Sequence, residues 1–94
     1  MGIEDTIRNM VRRWGMSPIS INSGACDEFA ENLLRHYPEG ILVEVGLKSD
    51  IIPGHAVVKY RGRYYDAETP KGVKRANDLP IVKDSGWVEH NGSK

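Results

Sequence analysis

Three side chains suited to nucleophilic catalysis by cysteine occur in order along this chain: a thiol, an imidazole and a carboxylate. Cys26, the single cysteine, stands at the predicted start of a helix, His55 at the start of a strand, and Asp66 at the end of the next strand. The thiolate is the reactive form of cysteine, and a helix N-terminus or a nearby cationic imidazole lowers the pKa of a thiol. The pattern therefore predicts an acyl-transfer site with Cys26 as its nucleophile.

Each of the three residues also has an ordinary interpretation. Cys26 falls on the apolar stripe of its helix, where a plain core cysteine would also lie. His55 is compatible with a surface histidine, and Asp66, which follows two tyrosines, with a turn former. Their joint occurrence in this order favours the catalytic interpretation.

Apolar residues at helical spacing predict two helices in the first half of the chain. The first begins near Ile3, carries its apolar stripe to Trp14 and is closed by Gly15. The second spans about residues 25 to 37, with Ser23 as its predicted N-cap. Between them, residues 15 to 24 are rich in Gly, Pro, Asn and Ser, which predicts a loop.

The hydrophobic period changes to two after residue 40, which predicts strands. Alternation over 41–47 indicates one half-buried strand, and the runs 56–60 and 63–67 flank Arg61-Gly62, typical of a two-residue hairpin. A turn is predicted at 48–50, short strands at 79–82 and 86–88, and a frayed tail at about 89–94. The predicted fold is α+β, with N-terminal helices packed on a small antiparallel sheet in a single domain over residues 1–94.

The hairpin decides whether the acid can reach the histidine. If Tyr60 faces Arg63, Asp66 shares a sheet face with His55 and lies one diagonal step away. A three-residue loop would move Asp66 to the opposite face. Glu68, predicted directly opposite His55, is the alternative orienting acid.

The other face of the hairpin is more apolar, which creates a conflict for the site. If the second helix packs there, His55 points away from Cys26. We expect the conflict to be resolved by one helix near each face, with the first helix covering the side that the second does not.

Composition bounds the possible functions. The chain has 94 residues, 39% of them hydrophobic, and equal numbers of basic and acidic residues, 13 each. One small domain with one core follows, and a net charge near zero predicts neither nucleic acid nor a membrane surface as partner. The basic cluster of Lys71, Lys74 and Arg75 is interpreted as a solvated loop.

The motifs that the sequence lacks give expectations for the cellular location and for bound cofactors. One cysteine forms no internal disulfide, and neither a signal peptide nor a membrane-spanning run is present, so a cytoplasmic location is expected. No paired CxxC, HExxH or glycine-rich phosphate loop occurs, so no metal and no cofactor are expected.

Three short blocks of the sequence resemble the papain-like cysteine peptidase superfamily, and its transglutaminase-like branch most closely. In that branch a Cys opens a helix in a G-x-C-x-x-F-A context, a His starts a strand and an Asp follows a hairpin. The resemblance covers residues 22 to about 70. The blocks are Gly24-Ala25-Cys26-Asp27-Glu28-Phe29-Ala30, Gly54-His55-Ala56-Val57-Val58 and Gly62-Arg63-Tyr64-Tyr65-Asp66-Ala67-Glu68-Thr69-Pro70.

The resemblance implies a papain-like core with the cysteine helix packed on the sheet. It implies that Cys26 is the nucleophile, His55 the general base and acid, and Asp66 the residue that orients the imidazole. The oxyanion hole would use the backbone N–H of Cys26, with the side chain of Asn22 or Ser23 as a further donor.

The function expected from these observations is cysteine-dependent acyl transfer, with hydrolysis of a peptide, isopeptide or amide bond in a peptide or protein substrate. One alternative is a non-catalytic papain-like binding or inhibitor module that acts through protein–protein contact. Another is a structural subunit with an exposed apolar patch. The ionisation of Cys26 separates the first from the second, because an inert core thiol is buried and has a raised pKa.

Overall fold

The structure is a computed structural model that describes residues 2–47, 54–83 and 85–90, and it shows an α+β fold. Helices pack on a small antiparallel sheet, as the sequence predicts. Within the described residues, none of the helices is long and apolar enough to cross a membrane. The α-helices are α1 (Ile3–Trp14), α2 (Pro18–Gly24) and α3 (Cys26–His36).

The two predicted helices are confirmed, with ends within one or two residues of the expected ones. α1 ends where Gly15 adopts the left-handed conformation at φ 67°, and the Gly15 N–H bonds to the Arg12 carbonyl. α3 carries two acids in its first turn and two basic residues in its last, both favourable to the helix dipole.

The predicted loop at 15–24 is wrong from residue 18 onward, because α2 occupies Pro18–Gly24. Ser17 is the N-cap of this short helix, and its side chain accepts a hydrogen bond from the Ser20 N–H. Pro18 stands at the first helical position, where its missing N–H costs nothing. Ser23 therefore lies inside α2, and the N-cap of α3 is Ala25, which has no side-chain cap.

The described strands form one antiparallel sheet in the order β3-β2-β1-β4. The strand predicted over 41–47 and the two hairpin strands are confirmed, whereas the turn predicted at 48–50 lies outside the described residues. Of the strand predicted at 86–88 only Val88 is in a strand, β4, which continues to His90 in the tail that was expected to fray. The strands are β1 (Ile41–Gly46), β2 (His55–Tyr60), β3 (Arg63–Tyr65) and β4 (Val88–His90).

The strand predicted at 79–82 is wrong. A 3-10 helix over Ala76–Asp78 precedes it, and the N–H of Val82 bonds to the carbonyl of Leu79 as in a turn. Pro80 has no N–H for a strand ladder, while Leu79 and Val82 both lie buried on one side of the turn.

The two-residue hairpin is confirmed. Tyr60 pairs with Arg63, and both loop residues have positive φ, 51° at Arg61 and 79° at Gly62. This is the turn conformation whose twist matches that of paired strands. The register therefore has the parity that the site requires.

The sheet has a helical face and a coil face, and both carry buried clusters. Contrary to expectation, α1 and α3 pack together on the helical face, where their side chains meet those of Ala56 and Val58. The coil face is covered by the segment around the 3-10 helix, through Ala76, Leu79 and Val82. The first helix is thus not on the opposite side.

A closed loop over 66–72 follows β3 and holds Asp66 at its first position. Tyr64 and Val73 exchange two backbone hydrogen bonds of 2.7 and 3.0 Å, which close the loop. Gly72 has φ 75°, and a Cβ at this position would lie 2.6 Å from Cε1 of Tyr65. Only glycine fits this approach without a shift of the ring.

Replacing Gly72 by alanine should therefore destabilise the protein by about 2 kcal/mol or more, from the left-handed conformation plus the steric conflict. The free energy of unfolding in urea measures this. The matched control is Gly24→Ala, since Gly24 is helical and nothing lies within 4 Å of its added Cβ. That variant should be unchanged or more stable, and equal losses in both variants would contradict the prediction.

Candidate active site

Cys26 is the first residue of α3 and is half-buried. The first backbone N–H groups of a helix have no acceptor within the helix, and here the N-cap offers no side-chain acceptor either. One N–H of the first turn, that of Glu28, is bonded to the Asp27 carboxylate at 2.9 Å. The sulfur thus lies at the positive end of the helix dipole.

His55 and Asp66 form a buried pair. Nε2 of His55 lies 3.0 Å from Oδ2 of Asp66, and the two side chains are 0% and 2% exposed. The backbone N–H of Glu68 donates to the other carboxylate oxygen, Oδ1, at 3.0 Å. With both oxygens engaged, the carboxylate fixes the orientation of the ring and occupies Nε2.

The remaining ring nitrogen, Nδ1, is buried and pairs with no N or O atom of the described residues, and the interaction of the ring on that side is with the thiol of Cys26. By parity His55 shares the coil face with Val43 and Val57, whereas Cys26 packs on the helical face. His55 is however the first residue of β2, so its ring lies at the end of the sheet beside the first turn of α3. Both side chains line one cleft there.

The electrostatics of the pair favour a thiolate and an imidazolium. Burial alone would lower the pKa of His55, but the hydrogen bond to Asp66 and the interaction with Cys26 raise that pKa from 6.5 to about 9. The pKa of Cys26 is lowered, chiefly because the His55 side chain stabilises the thiolate by hydrogen bonding. Burial of the thiol opposes this change by raising the pKa of Cys26, while a hydrogen bond from the backbone N–H of Ala56 lowers that pKa further.

The cleft at Cys26 has a volume of about 280 Å³, and sequence reasoning found only part of its lining. Glu44 belongs to the polar positions of β1, and no local signal places it beside the thiol. Gly54 allows the indole of Trp87 to approach, since an added Cβ would lie 2.9 Å from it. The lining residues are Ser23, Gly24, Cys26, Asp27, Glu44, Gly54, His55 and Ala56.

The other predicted site residues are placed as follows. The side-chain amide of Asn22 is buried and donates to Oε1 of Glu68 at 3.1 Å, so it is not directed into the cleft. Ser23 does line the cleft. Glu68, the alternative orienting acid, accepts the hydrogen bond of Asn22 through its carboxylate, whereas Asp66 binds the imidazole. β3 ends at Tyr65, so the strand pairing of β2 and β3 does not extend to Glu68.

No three His, Cys, Asp or Glu side chains are grouped to hold a metal ion within the part of the chain that the structure describes. The chain matches no protein-family model, no curated protein and no solved structure. The resemblance to the papain-like superfamily is carried by the three sequence blocks alone. A functional assignment therefore depends on the chemistry and the positions of Cys26, His55 and Asp66.

Asp66→Asn should lower the pKa of His55 from about 9, because the amide keeps the shape of the carboxylate but not its charge. An imidazole titration followed by ¹H–¹⁵N NMR measures this. The matched control is Asp78→Asn, an exposed acid paired with Arg75, which should leave the titration of His55 unchanged. A native-like midpoint in Asp66→Asn would show that the acid does not control the ring.

The Asn22–Glu68 hydrogen bond ties α2 to the loop that begins at Asp66. Asn22→Ala and Glu68→Ala should each destabilise the fold, and the double variant should lose less than their sum by about 1 kcal/mol. Unfolding free energies of the four proteins in the cycle test this. Additive losses would mean that the bond does not couple the two elements.

Proposed function

We propose that this protein is a cysteine-dependent hydrolase of a peptide, isopeptide or amide bond, with a papain-like arrangement of Cys26, His55 and Asp66. The observation that carries the proposal is the buried imidazole whose Nε2 is held by Asp66, which leaves Nδ1 for the half-buried thiol of Cys26 beside it. A structural cysteine has no need of an oriented imidazole. A general base does, because the proton it accepts arrives at one defined nitrogen.

In the acylation step the thiolate sulfur adds to the carbonyl carbon of the substrate, and the carbonyl oxygen becomes an oxyanion. The open N–H of Cys26 at the start of α3 is suited to stabilise this charge, with the Ser23 hydroxyl as a further donor. When the C–N bond breaks, Nδ1–H of the imidazolium protonates the leaving amine. The products are a thioester on Cys26 and a neutral His55.

In the deacylation step the neutral Nδ1 takes a proton from water, and the hydroxide formed adds to the thioester carbonyl. Collapse of this second intermediate breaks the C–S bond and releases a carboxylic acid. Cys26 leaves as the thiolate, and His55 is again the imidazolium. Asp66 keeps Nδ1 directed at the sulfur throughout, since its bond to Nε2 is made in both protonation states.

The pH dependence of alkylation tests the proposal. Iodoacetamide should react rapidly with native Cys26 at pH 6.5, where a free thiol with a pKa near 8.5 is only about 1% thiolate. In His55→Ala the rate at this pH should fall by about tenfold or more, because the main stabiliser of the thiolate is gone. The matched control is His36→Ala, an exposed histidine at the other end of α3, which should react like the native protein.

Two results would contradict the proposal. One is a thiol that reacts only after unfolding. The other is a Cys26→Ala variant that retains full hydrolytic activity on a substrate of the native protein. A thiol that is inert in the folded state would favour the non-catalytic binding module instead.

A further inference from the structure

Among the described residues, the part of the helical face that β1 and β4 form carries exposed side chains beside the proposed nucleophile. α3 packs chiefly on β2 and touches β1 with fewer residues. Gly46 pairs with Val88, so Leu42, Glu44 and Val88 point to this same face. Leu42 is 39% exposed and Val88 42% exposed, and Glu44 between them is also exposed.

Acidic groups mark this open face where it meets the cleft. Glu44 and Asp27 both line the cleft with Cys26, and no Lys or Arg of the residues that the structure describes is among its lining side chains. None of the side chains that the structure describes forms a hydrogen bond or an ion pair with Glu44. Because a thiolate–imidazolium pair carries no net charge, the two carboxylates give the cleft a negative potential.

The cleft that Glu44 lines also holds the imidazole of His55 and the thiol of Cys26. A side chain that pairs with Glu44 would therefore lie next to the reactive groups, within one space of about 280 Å³.

We propose that the open face formed by β1 and β4 binds a polypeptide substrate, and that Glu44 receives a lysine or arginine side chain close to the scissile bond. The inference rests on the proposed function and specifies its substrate class. The carboxylate of Glu44 pairs with the cationic end of that side chain, and Leu42 and Val88 contact apolar groups on either side. Asp27 adds attraction from the opposite wall of the cleft.

Charged thiol reagents test the potential at Cys26 without a known substrate. Trimethylammonioethyl and sulfonatoethyl methanethiosulfonate each transfer a charged alkylthio group to the thiolate: a disulfide bond to Cys26 forms as the S–S bond of the reagent breaks, and methanesulfinate leaves. The measured quantity is the rate constant for the cationic reagent divided by that for the anionic reagent. For native Cys26 this ratio should exceed the ratio for free mercaptoethanol by about fivefold or more. Glu44→Gln should reduce this preference severalfold, whereas Glu39→Gln, in the turn before β1 and outside the cleft, should not.

A second measurement separates recognition of a side chain from a general local potential. Peptidyl chloromethyl ketones that end in lysine, norleucine or glutamate present different side chains to the same thiol. The lysine reagent should inactivate Cys26 fastest, and Glu44→Gln should bring lysine and norleucine to similar rates. Equal rates for lysine and norleucine in the native protein would overturn the assignment of a basic substrate residue.

The outcomes distinguish this inference from the proposed function. If iodoacetamide labels Cys26 with the expected dependence on His55 but the cation preference is absent, or persists in Glu44→Gln, only the substrate class is overturned. If Cys26 is inert to every reagent in the folded protein, both are overturned.

Discussion

The contact between His55 and Asp66 is the constraint on which the rest of the site depends. Moving two ionisable groups out of water costs several kcal/mol per ion, and the attraction between them offsets this only when their other hydrogen bonds are made. Asp66 meets that condition, since the imidazole and the Glu68 N–H take one oxygen each. For His55 the second partner is the thiol of Cys26, since Nδ1 pairs with no N or O atom of the described residues. Hydrogen bonding with His55 is the main cause that lowers the pKa of Cys26, whereas the pKa of His55 is raised first by Asp66 and then by Cys26.

Two backbone features deliver Asp66 to the ring. The Arg61-Gly62 turn sets the parity of β2 and β3, and the return of the chain to β3 at Val73 closes the loop that Asp66 begins. Both features use a glycine at positive φ, Gly62 in the turn and Gly72 at the loop closure. Neither glycine touches the reactive groups, yet each fixes where the carboxylate stands. The position of the acid is therefore a property of the hairpin as much as of Asp66 itself.

Local signals in the sequence predicted the parts of this fold whose causes are local. The stripe of α1, its stop at Gly15 and the two-residue hairpin were all found in this way. α2 was missed because its polar composition favours a loop, while Ile21 is fully buried and anchors the helix through tertiary packing. The sequence did not predict that the segment around the 3-10 helix covers the coil face, because so short a turn produces no periodic pattern of hydrophobic residues. Glu44 was missed at the cleft because only the packing of α3 beside β1 brings it there.

Cys26 and His55 differ in how deeply they are buried. The ring of His55 is fully buried, whereas Cys26 is half-buried and lines the cleft. A buried imidazole interacts strongly with Asp66, since the local dielectric is low. An open thiolate is accessible to a carbonyl but is partly screened by water. Under the proposed function, a polypeptide laid across β1 and β4 covers the thiolate and removes that water. In that proposal the substrate forms one wall of the cleft, and the attraction between sulfur and imidazolium strengthens as the carbonyl is attacked.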